Sequence, residues 1–216
     1  MSERIGILGS GTVGQVLANG FVKNRYEVMI GTNNPGKRAE LTGKTQGKAK
    51  IGSFTETAGY AQILVLAVKG SAAEAVVKAI GPAALDGKTV IDATNPIADA
   101  PPVNGVIQFF TSPNESLMER LQKLAPGARF VKAFSCAGNA FMVDPDFGGV
   151  KPTMFICGND EKAKGMVKNI LAAFGWEVED MGNQEAARAI EPLCMLWCIP
   201  GLREGRWSHA FKLLKM

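Results

Sequence analysis

Apolar and polar positions along this chain fall into two kinds of block. Short apolar runs, "IGILG" (5–9), "YEVMIG" (26–31), "AKIGSF" (49–54), "AQILVLAV" (61–68), "KTVIDAT" (88–94) and "ARFVKAF" (128–134), read as strands. Between them apolar residues recur at helical spacing. Val13, Val16 and Leu17 follow the first run, and a poorer helix, "NPGKRAELTGK", follows the second. "SAAEAVVKAI" follows the fourth, with Ser71 as its cap and Gly81-Pro82 as its stop, and "ESLMERLQKLAPG" precedes the sixth. "AQILVLAV" is apolar throughout, as befits a central parallel strand buried on both faces. This alternation predicts an α/β chain with a Rossmann-type doubly wound parallel sheet and right-handed crossovers.

The regularity breaks at "NPIADAPPVNGVIQFFTSPN" (95–114), whose four prolines and missing period predict a long functional loop. A second glycine-rich loop, "SCAGNAFMVDPDFGGVKP", leads to "TMFICGN", a helix over roughly 160–174, "WEVEDMG" and a helical tail. The expected division is a dinucleotide-binding domain over 1–136 and a smaller C-terminal α/β extension over 137–216.

The handover from first strand to first helix carries Gly9, Gly11 and Gly14, spaced G-x-G-x-x-G. The first glycine permits a tight turn, the second lets a pyrophosphate approach the backbone, and the third lets the helix pack close to the strand. The helix start then offers free N–H groups to the phosphates. Gly9, Ser10, Gly11, Thr12, Val13 and Gly14 are thus expected at a dinucleotide. NAD-binding sheets carry an acid at the end of the second strand; here Thr32 and Asn33 stand there, with Lys37 and Arg38 following. That predicts NADP over NAD. Ligands lie outside the carboxyl ends of such strands, so Ala67, Val68, Lys69 and Gly70, with Asn95 and Pro96, are expected around the nicotinamide. Phe134, Ser135 and Cys136 are expected as the wall facing it.

Composition narrows the setting. Of 216 residues, 46% are hydrophobic and 20% charged, enough for a sizeable core and against disorder. No apolar stretch approaches the ~18 residues of a membrane helix. "MSERIGIL" enters the fold without room for a signal peptide, and four cysteines do not suggest a disulfide scaffold, so a cytoplasmic protein is expected. The net charge of +4 gathers at Lys37, Arg38, Lys44, Lys48 and Lys50, a solvated face or a site for an anionic ligand. With no aromatic between Tyr26 and Phe54, the patch does not read as a nucleic-acid surface. No catalytic residue is assigned: His209 is the sole histidine and lies in the tail. Cys194 and Cys198, in "EPLCMLWCI", read as core rather than metal ligands, and no metal is expected. Arg188 and Glu191 read as a structural ion pair or a subunit contact.

Taken together, "GILGSGTVGQVLANGF", "VMIGTNNPGK", "VIDATNP", "FVKAF", "FGGVKPTMFICGND" and "EDMGNQEAARAIEPLCMLW" resemble the NADPH-dependent coenzyme F-420 reductases, a family that includes the reductase domain of membrane metalloreductases. The resemblance spans almost the whole chain. It implies NADPH at the carboxyl ends of the strands, a flat deazaflavin or flavin ring against the nicotinamide, and a C-terminal part closing over both. Hydride transfer between such rings needs alignment more than proton transfer. The expected partner is a small-molecule redox acceptor, handled by a homodimer with no membrane and no nucleic acid. The competing readings are an NADP-dependent carbonyl or imine reductase, and a non-catalytic redox sensor that binds NADP(H).

Overall fold

The computed structural model describes residues 3–216. Met1 and Ser2, which head the expected entry into the first strand, lie outside the described residues. Six parallel strands form the main sheet: β1 (Arg4–Leu8), β2 (Glu27–Gly31), β3 (Ala49–Gly52), β4 (Ile63–Leu66), β5 (Thr89–Asp92) and β6 (Arg129–Lys132). Their order across the sheet is β3-β2-β1-β4-β5-β6, so the direction of winding reverses between β1 and β4. Successive side chains on a strand point to opposite faces. Ile5, Ile7, Val65 and Ile91 accordingly enter one apolar layer and Leu8, Leu64, Leu66 and Val90 the other.

The first layer is closed by α1 (Thr12–Lys23), α2 (Arg38–Lys44) and α6 (Glu161–Ala173), through Leu17, Phe21, Leu41, Val167 and Leu171. The second is closed by α3 (Phe54–Tyr60), α4 (Gly70–Ile80) and α5 (Leu117–Leu124), through Ala58, Val76, Val77, Leu117 and Leu121. A pair of parallel strands, β7 (Thr153–Ile156) and β8 (Glu177–Asp180), stands beside β6, joined to it by an antiparallel bridge between Lys132 and Cys157. Met154 and Ile156 of β7 share the first layer with Ile5 and Ile7, so the packing is continuous from β1 to β7. α7 (Ala187–Ile190) and α8 (Leu193–Glu204) complete the regular elements.

Four expectations need correction. The short α3 is an additional element, and its signal was present: Ser53 and Glu56 form a reciprocal capping box directly after β3. Ser71 does not cap α4, which begins one residue earlier at Gly70 behind Lys69 and has no side-chain cap. The long loop after β5 is a finger: Ile97 bridges Phe109, and Val103 and Val106 exchange backbone hydrogen bonds of 2.9 Å. Between them Asn104 and Gly105 both have positive φ, 51° and 82°, the geometry of a two-residue hairpin turn for which Asn-Gly is the preferred sequence. Finally, the tail is helical only to Glu204. Beyond it Trp207 and His209 pack on Trp197, Thr153 donates its N–H to the Phe211 carbonyl, and Lys212 and Lys215 pair with Glu177 and Glu179. The tail is a strap across α8 and the small sheet.

Candidate functional site

The glycine turn shows three different reasons for a missing side chain. Gly9 has φ 135°, and a Cβ there would be driven into the Ala67 carbonyl at the end of β4. A Cβ on Gly14 would overlap the Gly9 carbonyl, so α1 lies against the turn at backbone distance. A Cβ on Gly11 would meet nothing within 4 Å. That open space lies over the start of α1, where Gly11 supplies no capping side chain. The N–H groups of the first turn have no partner within the helix, an arrangement that can receive an anion.

The end of β2 is tied to this turn. The Ser10 and Thr32 hydroxyls lie 3.0 Å apart, and Thr32 Oγ1 also accepts the Asn34 N–H at 3.1 Å. Asn33 is exposed beside them. Lys37 closes a short 3-10 turn and Arg38 starts α2, both on the carboxyl side of the sheet. The remaining cations of the basic cluster are elsewhere. Lys44 ends α2, Lys48 precedes β3, and Lys50 lies 4.8 Å over the Tyr60 ring, at the opposite end of the strands. The expected patch is therefore two groups, of which Lys37 and Arg38 stand on the carboxyl side of the sheet, as the glycine turn does.

From Gly11 a groove runs along the ends of β4 and β5. Its first cavity, ≈ 240 Å³, is lined by Gly11, Thr12, Val13, Ala67, Val68 and Lys69. The next, ≈ 300 Å³, shares Val68 and Lys69 with it and reaches Thr94, Asn95 and Asp99. A larger hollow, ≈ 480 Å³, lies around Pro126–Arg129 where β6 begins, away from the carboxyl ends. At the end of the groove the Asn95 amide donates to the Ser135 carbonyl at 2.7 Å. This leaves Asn95 Oδ1 and Ser135 Oγ buried without a protein partner. Buried polar atoms are normally paired, and of these two residues Asn95 lines the groove, where its amide oxygen suits a ligand group that carries a donor, as a nicotinamide carboxamide does.

Pro96 is buried behind Asn95 and gives its carbonyl to the Phe110 N–H. The expected facing wall is not presented as such. Phe134 is 1% exposed at φ 63°, with its ring 6.2 Å from that of Phe174. Cys136 is buried in the same layer, where burial pushes its thiol up to about 11. Of the three, Ser135 is the residue joined to the groove.

Behind the groove lies a cluster that the sequence reading missed. Lys132, fully buried at the end of β6, lies 2.7 Å from Asp92, 2.8 Å from Glu191 and 2.9 Å from the Thr94 carbonyl. Burial alone would lower its pKa; the two carboxylates override this and hold it above the ordinary lysine value. Glu191 also accepts the N–H groups of Leu117 and Met118, at 3.0 Å each, at the start of α5. Arg188 and Glu191 are therefore not a pair with each other: Arg188 reaches Glu119, at 2.5 Å. A visible signal was the lone lysine within the otherwise apolar "FVKAF".

The remaining polar candidates are structural. His209 Nε2 lies 2.8 Å from the Trp197 carbonyl, the Trp197 indole donates to the His209 carbonyl, and the two rings stack at 4.8 Å. A hydrogen bond with its neighbour Cys198, and then burial, push the Cys194 thiol up. Among the described residues no group of three His, Cys, Asp or Glu is placed to hold a metal, and no helix is long and apolar enough to cross a membrane.

Residues 4–96 match the sequence pattern of a family described as NADP oxidoreductase, coenzyme F-420-dependent. The chain is 28% identical over 206 residues to the metalloreductase STEAP3 of Rattus norvegicus; the match takes in 93% of this chain and 39% of that protein. The chain thus spans about two-fifths of the length of this curated relative. A crystal structure of a proposed F-420-dependent NADP reductase from Arthrobacter sp. FB24 superposes with a TM-score of 0.91 at 28% identity, over 99% of this chain and 100% of that one. An imine reductase from Aspergillus terreus, solved with NADPH4 and dibenz[c,e]azepine, has a TM-score of 0.66 at 19% identity, over 91% of this chain and 60% of that one. The last likeness is one of fold.

Proposed function

We propose that this chain, an NADP-dependent oxidoreductase, exchanges a hydride between NADP(H) and a flat, flavin-like acceptor such as coenzyme F-420 or a flavin. The observation that carries this is the groove itself. It begins at the open face of Gly11 and ends at Asn95, whose Oδ1 has no hydrogen-bond partner in the protein. Among the residues lining its two cavities, Lys69 and Asp99 alone carry ionisable side chains, and both are exposed.

When bound, NADPH supplies the hydride. The residues of this chain then have three tasks. Ser10, Gly11, Thr12, Val13 and Gly14 present backbone N–H groups to the pyrophosphate, while Gly9, whose own N–H is given to the Gly31 carbonyl, makes the turn that exposes them. Thr32 and Asn33 offer donors, and Lys37 and Arg38 positive charge, to the adenosine 2′-phosphate. Ala67, Val68, Lys69, Asn95 and Pro96 hold the nicotinamide flat, with Asn95 on its carboxamide and Ser135 fixing the Asn95 amide. An acceptor that carries its own basic nitrogen requires alignment of two rings rather than a protein proton donor. Residues 1–136 form the NADP half in this reading, and 137–216 complete the acceptor side.

The test is to mix the protein with NADPH and, separately, FMN, FAD and an oxidised deazaflavin, following absorbance at the nicotinamide band. Steady NADPH consumption with one ring acceptor supports the reading. Turnover with a cyclic imine or ketone, and none with any ring acceptor, overturns it.

A further inference from the structure

The buried charges behind the groove do not touch it, yet they hold the residues that line it. Asp92 Oδ1 accepts both the Thr94 N–H, at 2.9 Å, and the Thr94 hydroxyl, at 2.6 Å. Lys132 Nζ donates to the Thr94 carbonyl. Every polar group of Thr94 is therefore fixed by a charged partner, and the next residue is Asn95. On its far side, the Asn95 carbonyl lies so close to Gly70 that a Cβ there would overlap it.

Glu191 reaches the same place by a second route. It anchors the first turn of α5, and Leu117 in that turn packs where a Gly70 side chain would be, its Cδ2 3.2 Å from that point. One cation and two carboxylates leave an excess negative charge, which the N–H groups of α5 meet. Buried ion clusters add little net stability compared with apolar packing; what they add is direction. An apolar side chain at position 132 could fill the volume but could not orient the Thr94 carbonyl.

We propose that Lys132 is a positioning residue for the nicotinamide end of the dinucleotide, acting through Thr94 on Asn95, with Asp92 and Glu191 orienting its ammonium. This rests on the dinucleotide reading above and assigns the cluster a part in it that acid–base chemistry does not require. The cluster bears on one half of the ligand: it sits at the ends of β5 and β6, behind Thr94 and Asn95, whereas Ser10, Thr32 and Lys37 serve the adenosine end across the sheet.

The experiment compares two probes, NADPH and adenosine 2′,5′-bisphosphate, which lacks the nicotinamide, on the wild-type protein, Lys132→Met, Glu191→Gln and Lys164→Met. Glu191→Gln preserves the shape of the cluster and guards against a failure of Lys132→Met to fold. Lys164 is also buried and paired, with Asp180 and Glu161, but outside the groove. Losing one charge-oriented contact at the nicotinamide end should weaken NADPH by about tenfold in Lys132→Met and Glu191→Gln, with the bisphosphate held within about twofold. NADPH fluorescence in those two complexes should move toward that of the free nucleotide. Lys164→Met should melt at a lower temperature with both affinities unchanged. Equal weakening of both probes in the Lys132 and Glu191 variants, or no change in either, overturns the assignment. A wild-type protein that fails to bind the bisphosphate overturns the dinucleotide reading itself, and this inference with it.

Discussion

Gly70 and Asn95 meet backbone to backbone: the Asn95 carbonyl oxygen occupies the space a Gly70 side chain would need. Gly70 opens α4, where alanine would ordinarily be the better helix former by up to about 1 kcal/mol. Here the clash outweighs the propensity. Gly70→Ala is expected to destabilise the protein by about 1–3 kcal/mol, the usual cost of overfilling a packed contact. Thermal unfolding checks the loss, and a melting temperature at or above wild type contradicts it.

Gly11 and Gly14 should respond oppositely to the same kind of change. The space over Gly11 is open, so Gly11→Val should leave a folded protein that no longer binds the dinucleotide, because the branched side chain fills the phosphate approach. Gly14→Ala pushes α1 off the Gly9 carbonyl and should lower stability before binding is even measured. Circular dichroism with NADPH titration separates the two. Normal NADPH affinity in a folded Gly11→Val would remove the turn from the binding site.

At the end of β2, Thr32 shares its hydroxyl with Ser10 where many dinucleotide sheets place an acid. NADPH is expected to bind more tightly than NADH. Thr32→Asp should weaken NADPH by about 1–3 kcal/mol through a like-charge contact with the 2′-phosphate, while affecting NADH less. Fluorescence titration of both nucleotides decides this, and equal affinities in the wild type would refute it.

The ion pairs on α5 and β8 set an acid limit. Burial acts to raise the Glu119 pKa, but Arg188 and Ser116 override it and hold the carboxyl below its ordinary 4.5. Asp180 is likewise held below 3.8 by Lys168, the Gly182 N–H and Lys164, against its burial. Both groups bind protons less readily when folded. Their contribution is therefore complete above the unfolded values and is lost as pH falls through the lower, folded ones. Melting temperature should drop below about pH 4.5, and Arg188→Met should flatten that drop relative to wild type. An identical acid slope in the variant argues against the Glu119 contribution.

His209 holds the strap through its ring stack and its contact with the Trp197 carbonyl. His209→Ala should lower thermal stability, yet slow single-turnover hydride transfer by much less than the ~10²–10⁴-fold of a general acid or base. A thousand-fold loss accompanied by the disappearance of a pH-dependent limb would instead make it a proton donor.

Much of this architecture was readable from periodicity because parallel strands buried on both faces must be apolar throughout: the runs around Ile7, Val65, Ile91 and Val131 each mark a strand of the main sheet. The glycine turn was equally legible, since backbone close approach leaves no alternative residue at Gly9 or Gly14. Phe134 was misjudged because a position one or two residues past a strand end says nothing about which way the ring turns. The charged cluster was invisible for a different reason. Asp92, Lys132 and Glu191 are far apart in sequence, and their meeting depends on how β5, β6 and the end of α7 pack. The finger at Asn104-Gly105 lay hidden among prolines, although its turn dipeptide was in plain view.

The antiparallel bridge beside β6 bears on how the molecule tolerates crowding. Unpaired strand edges are templates on which another chain can add, and β6 would be one such edge. Lys132 instead gives its N–H to the Cys157 carbonyl, and Gly158 lies against the Phe130 carbonyl, so the segment after β7 covers that side. The opposite margin is β3, four residues long, with an exposed lysine at position 50 on it. Short length and surface charge both discourage edge-to-edge addition. The sheet is thus guarded against self-association by a covering segment on one margin and by brevity and charge on the other.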